Sequence, residues 1–198
     1  MSLSRSLLVT SLIAVAGFSA VSVSSAQAAE TLGGTPVSGV CLLSREAIFA
    51  QAKVGEAASK RLSELADQAR TQLDSQRTPL DTDIKSFQSK ESSLSEAQRK
   101  QQGSALQGRM QAFQTNATEL NQRIQLTRAK VMQQIGQQAE PIVASSYKSH
   151  KCGLLLNRDV VLAGNMSNDL TSDVVQGLDR KITTISFNLE PLPAGKGK

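Results

Sequence analysis

Histidine occurs once in this chain of 198 residues, tryptophan never, and aromatic residues of any kind only six times. So few rings leave little for bases to stack on, which argues against a nucleic-acid partner despite a sequence pI near 9.4. Any DNA binding is expected to be nonspecific and salt-sensitive. The sequence also lacks a Gly-rich phosphate loop and a set of metal-spaced ligands. It therefore reads as a non-enzyme without metal, cofactor or nucleotide. The one histidine, His150, stands two residues from Cys152. A Cys-His nucleophile needs the two side chains oriented together and a third group to hold the base. The small segment around them offers no evident substrate pocket, so His150 reads as structural or exposed.

No apolar run reaches the roughly 20 residues that a membrane-spanning helix requires. The stretch Leu7 to Ala20 is interrupted by Thr10, Ser11, Gly17 and Ser19. With Arg5 before it and Ala26-Gln27-Ala28-Ala29 after it, it has the layout of a secretory signal peptide over residues 1–28, cut near Ala28. No cysteine stands at the cut, which argues against a lipoprotein. The mature chain is then expected in the periplasm. Only two cysteines occur, Cys41 and Cys152. In an oxidising compartment they can form a disulfide, closing a loop of roughly 110 residues at a gain of a few kcal/mol. Two buried free thiols are the competing reading.

Removing the signal peptide takes away Arg5 alone, leaving 21 basic against 17 acidic residues. The distribution matters more than the total. Lys53 to Glu96 holds 7 basic and 8 acidic residues, whereas Ala97 to Ile135 holds 6 and 1. The basic set is Arg99, Lys100, Arg109, Arg123, Arg128 and Lys130. Such a run is either the solvated side of a coiled coil or a surface for anionic partners such as lipid head groups and acidic unfolded chains.

What the chain does have is two long apolar stripes between Leu62 and Ile142. In the second, Leu106, Met110, Phe113, Ala117, Leu120, Ile124, Thr127 and Val131 alternate steps of four and three, which keeps one seam facing a partner helix. The first follows the rule through Leu62, Ala66, Ala69 and Leu73, shifts phase near Pro79 and Leu80, and resumes at Ile84, Phe87 and Leu94. Gln76, Glu91 and Thr127 interrupt the seams. Pro79 predicts a kink, and Gly103 and Gly108 weaken the second arm by up to about 1 kcal/mol each. Glu91 to Glu96 is the expected tip, since Ser95 and Gln98 have the form of a capping box. Pro141 should end or bend the second arm, with Ile142 to Ser149 continuing as a helix that returns to the body.

On either side of the stripes lie strand-like runs. Val37 to Leu43 reads as a first strand, and Ser44 caps the helix that leads into the first arm. Gly153 to Leu156 and Val160 to Ala163 read as a hairpin turning at Asn157-Arg158-Asp159. Asp169 and Thr171 offer caps for a short helix, Ser172 to Leu178. Ile182 to Leu189 reads as a last strand or a trailing segment, and 191–198 as a disordered tail. The expected fold is α+β: a helical hairpin over 50–142, inserted in a small β body formed by 37–49 and 143–190. With the hairpin set aside only about 80 residues of the mature chain remain, which is marginal for a body alone and favours self-association.

These residues resemble the Skp/OmpH family of periplasmic chaperones. Val40-Cys41-Leu42-Leu43-Ser44-Arg45-Glu46-Ala47-Ile48-Phe49 is similar to that family's opening strand and Ile-Phe pair. Gly55, Ala57, Ala58 and Leu62 resemble its small-residue lead into the arm. Cys152 to Leu156, Val160 to Leu162, and Asp169-Leu170-Thr171 with Val174 and Val175 resemble its closing strands and helix cap. Two departures are Cys152 in place of an aromatic and Ser44 in place of an acid. The resemblance implies a homotrimer whose arms project like tentacles around a cavity. It further implies an ATP-independent holdase for unfolded outer-membrane β-barrel proteins, with the basic arm residues adding attraction to clients and to anionic lipid or lipopolysaccharide surfaces. The alternative is a structural coiled-coil spacer of the envelope. A spacer calls for a stiff, regular seam, which this Ala-rich, interrupted one is not.

Overall fold

In the computed structural model, which describes residues 33–193, a short strand β1 (Val40–Leu43) leads into helix α1 (Arg45–Gln51). The signal peptide read over 1–28 lies outside the described residues, as do the last five of the tail read over 191–198. Ser44 is buried, and its hydroxyl accepts from the Ala47 amide at 3.0 Å, closing the first turn of α1. Ala52 then adopts an extended conformation and breaks the helix, so the arm starts afresh at α2 (Lys53–Lys90). Two features hold this break. Asp179 accepts from the Lys53 amide at 2.8 Å, capping α2 from a distant segment. Gly55 lets the new helix approach so closely that a Cβ there would collide with the Phe49 carbonyl oxygen.

Helix α2 continues through Pro79, and the chain turns in a single 3₁₀ turn, Glu91–Ser93. Helix α3 (Glu96–Ser149) returns, opened by the capping box: Gln98 donates to the Ser95 hydroxyl, and the Ser95 amide donates to the Gln98 side chain. Pro141 does not end this arm: α3 runs through it, and Ile142 to Ser149 continues as a helix, as read from the sequence. The ring lies on the exposed side while Ala139 beside it is buried in the core. Packing of that face outweighs the roughly 3 kcal/mol that a helix-interior proline costs.

The lengths of the two helices set the sheet. With 38 residues in α2 and 54 in α3, the return helix is longer by about 24 Å at 1.5 Å per residue. It runs on past the start of α2 and delivers the chain beside Gly39, at the beginning of β1. Strand β2 (Leu154–Asn157) therefore pairs with β1 in parallel, Val40 opposite Leu154 and Leu43 opposite Asn157. Gly39, at φ 76°, turns its carbonyl to accept from the amides of Gly153 and Leu154. Cys41 and Cys152 are joined sulfur to sulfur beside this junction, their Cα atoms 5.8 Å apart.

The expected hairpin after β2 does not form. The Asn157 side chain accepts from the Asp159 amide and starts a 3₁₀ turn, Arg158–Val160, and Arg158 reaches Asp169 at 2.8 Å. Val160 ends that turn and Val161 to Ala163 is irregular chain, with Leu162 fully exposed. Of the two readings of Ile182 to Leu189, the structure shows the trailing segment and not the strand. Among the described residues the β part is thus smaller than expected: β1, β2 and one bridge from Leu42 to Asp169. The core is instead mostly helical. Val54, Ala58, Val131, Ile135 and Ala139 from the feet of the arm meet Leu170, Val174 and Leu178 beside Cys41, Leu43 and Ile48. Helix α4 (Thr171–Lys181) supplies Val174 and Leu178, and its Gly177 lies against Ile142.

Asp169 ties these parts together, accepting from the Thr171 amide and hydroxyl and from Arg158. Burial raises its pKa, but the Thr171 hydrogen bonds and the Arg158 guanidinium outweigh that and hold it below the ordinary 3.8. A depressed carboxylate stabilises the fold above its unfolded pKa, and the contribution is lost as pH falls through the folded value. Asp169→Asn should therefore cost about 2 kcal/mol at pH 7 and less as the pH falls below about 4. Urea midpoints of both proteins from pH 7 to pH 2.5 check this. A constant difference would show that the carboxylate charge is not responsible.

Candidate functional site

The seam of the arm is graded. Near the body, Leu65 and Ala69 of α2 and Leu120, Thr127 and Val131 of α3 are buried. Toward the tip the same stripe opens: Ala117, Phe113 and Leu106 are half-buried and Met110 is 43% exposed. Leu65, which the sequence pattern passed over, is one of the deepest positions, while Leu62 and Ala66 flank it half-buried. Around the phase shift at Pro79 only Leu80 is buried. A cleft of about 430 Å³ opens there between Gln76, Leu80, Arg109, Ala112, Phe113 and Asn116. The two helices are held at this level by polar contacts, Asn116 donating to Gln76 at 2.8 Å and Arg109 pairing with Asp83. Exposed ion pairs of this kind contribute at most about 1 kcal/mol.

The six basic residues counted between Ala97 and Ile135 are not one patch. Arg109 is engaged by Asp83 across the arm. Arg123 donates to the carbonyls of Leu189 and Glu190 at 3.3 and 2.9 Å, and Lys130 pairs with Glu190 at 2.6 Å. Arg99, Lys100 and Arg128 are exposed and have no hydrogen-bonded or ionic partner among the described residues. Helix α3 spaces them along its length, Arg99 and Lys100 by the tip and Arg128 near the root.

Thr127 is the residue whose role the sequence concealed. At a seam position it looked like an interruption, but its hydroxyl donates to the Arg123 carbonyl at 2.7 Å and accepts from the Glu190 amide at 2.9 Å. The only signal in the sequence was a hydroxyl in an apolar stripe. His150 pairs with Asp173 at 2.7 Å, and the Cys152 sulfur is bonded to Cys41, so the two do not meet as nucleophile and base. Among the described residues, no three His, Cys, Asp or Glu side chains gather as a metal site, and no helix is long and apolar enough to cross a membrane.

Two long helices that are packed firmly at the root, joined by polar contacts further out and footed on a small mixed body define a helical-arm protein. Its main exposed surface is the length of the arm. The chain belongs to the OmpH-like outer membrane protein family, whose model matches residues 39–178. It is similar to an OmpH-like protein from Caulobacter crescentus, described as a candidate outer membrane chaperone, whose crystal structure superposes with a TM-score of 0.70. The two are 29% identical, and the match covers 80% of this chain and 94% of that one. No protein of curated function matches.

Proposed function

We propose that this chain is an ATP-independent holdase of the periplasm that keeps unfolded outer-membrane β-barrel proteins from aggregating. The observation that carries this reading is the graded arm, a surface of half-buried apolar residues loosened toward the tip, in a chain of the OmpH-like family. A holdase requires no bond-breaking chemistry. It requires many weak apolar contacts and steric isolation, and several copies around one cavity convert weak contacts into avidity.

Self-association into a trimer belongs to the same proposal. In one chain the body exposes Leu154 (50%), Val160 (74%) and Leu162 together with Val37 and Met166. Strand β2 also has an unpaired edge among the described residues. Large exposed apolar side chains beside a free strand edge are features that partner copies would cover. Residues 37–49 and 143–190 are the proposed oligomerising body, and 50–142 the proposed working arm.

The test is the light-scattering mass of the mature protein, alone and after a urea-unfolded barrel protein is diluted into it. A trimer that yields a discrete soluble complex supports the proposal. A monomer that leaves the barrel protein to aggregate overturns it in favour of an envelope spacer. Electrostatics should add a minor, screenable part. Replacing Arg99, Lys100 and Arg128 with Gln should weaken client binding severalfold at low salt and little at 0.5 M salt, where the Debye length falls to about 4 Å. Equal loss at both salts would mean that the arm's charges do not attract the client. Binding to vesicles of anionic lipid or lipopolysaccharide, measured with the same variant, tests the proposed membrane-surface contact.

A further inference from the structure

The tail Ile182–Glu190 lies outside the matched stretch 39–178 and is not a strand, yet it is closely held. It runs along the arm root toward the tip. Lys181 donates to the Gln138 carbonyl, Arg61 of α2 to Asn188, and Arg123 of α3 to the carbonyls of Leu189 and Glu190. The Glu190 amide donates to Thr127, whose side chain is 1% exposed, and the Glu190 carboxylate meets Lys130. Three of these contacts grip peptide groups rather than side chains, so they do not depend on which residue is held. The side chains show a different regularity: Ile185, Phe187 and Leu189 are half-buried, while Thr184, Ser186 and Asn188, which alternate with them, are exposed. That is the period of two of an extended segment with one apolar face. A cleft of about 460 Å³ remains between this tail and Ala57 and Arg61 on α2.

We propose that the arm root is a seat for an extended peptide with alternating apolar and polar residues, and that the chain's own tail fills it until such a segment displaces it. Strands of membrane β-barrels alternate in this way. The inference rests on the holdase reading for the identity of the client. The seat supplies the Arg123 guanidinium as donor and the Thr127 hydroxyl as acceptor for peptide groups that any sequence carries, and apolar contacts at every second residue.

The probe is a fluorescent nine-residue peptide with the sequence of Ile182–Glu190, compared with a control that groups the same apolar residues at one end. In the full-length chain carrying Ile185→Ser, Phe187→Ser and Leu189→Ser, the tail should leave the seat. Because a tethered tail competes at an effective concentration of order millimolar, this variant should bind the alternating peptide at least about tenfold more tightly than the wild type. Adding Arg123→Gln should remove most of the gain. Equal binding by wild type and variant, or equal binding of both peptides, overturns the proposal. Should the variant lose helicity, the wild type still decides: excess alternating peptide should speed hydrogen exchange at the Glu190 amide severalfold, and unchanged exchange overturns the proposal. The holdase reading is separated by the barrel-protein assay. A wild type that protects the barrel protein while peptide binding is unaffected by tail release leaves the tail a brace only. A released seat that binds the alternating peptide while the barrel protein aggregates supports the seat and removes the holdase.

Discussion

Breaking the Cys41–Cys152 bond is expected to lower the unfolding free energy by roughly 4 to 5 kcal/mol, the largest single loss foreseen for this chain. The two residues are separated by 111 positions, and a crosslink closing so long a loop removes much of the freedom of the unfolded chain. The bond also sits where it matters mechanically. Cys41 is buried in β1, and Cys152 follows α3 directly, so the link fastens the foot of the return helix to the strand that precedes the outgoing one. The double variant Cys41→Ser and Cys152→Ser, compared with the oxidised protein by urea unfolding, measures the loss. Thiol labelling of unreduced, unfolded protein provides the control, and two reactive thiols would show that the bond does not form in solution.

Gly55→Ala should cost about 3 kcal/mol or more, because the added methyl meets a backbone carbonyl rather than a side chain that can swing away. The break at Ala52 would have to open, shifting α1 and exposing Ile48 and Val54, both buried in the core. Gly108→Ala is the matching control. A Cβ at that position meets nothing within 4 Å, so the substitution should favour the helix by up to about 1 kcal/mol. Thermal unfolding of both variants, followed by far-UV circular dichroism, checks the contrast. A Gly55→Ala protein as stable as the wild type would mean that the close approach at the arm's base is not needed for the fold.

The same two glycines show how unequally the structure could be read in advance. Gly108 stands at an exposed position of a regular helix, and its effect on the helix follows from propensity alone. Gly55 looked like one small residue among several, because nothing near it in sequence states that Phe49 will stand against it. The Ser95–Gln98 cap was legible for the same local reason as Gly108, since both partners lie within one turn. Val160 to Ala163 was misread as a strand. Its composition suits one, but a strand needs a neighbour, and the Arg158–Asp169 pair and the Asn157 turn direct the chain elsewhere.

The candidate site divides along the same line. That the second arm is basic could be counted from the sequence. Which charges remain free for a partner could not, because Asp83 and Glu190, which engage Arg109, Arg123 and Lys130, lie 26 to 67 positions away from them. What the sequence determined by itself was the helical hairpin, its tip and the Ser44 and Ser95 caps, all set by periodicity and contacts within a few residues. The parallel pairing of β1 and β2, the helical core and the tail laid along the arm root were decided only by the tertiary structure. Each depends on the unequal lengths of two helices and on hydrogen bonds between residues that only the finished fold brings together.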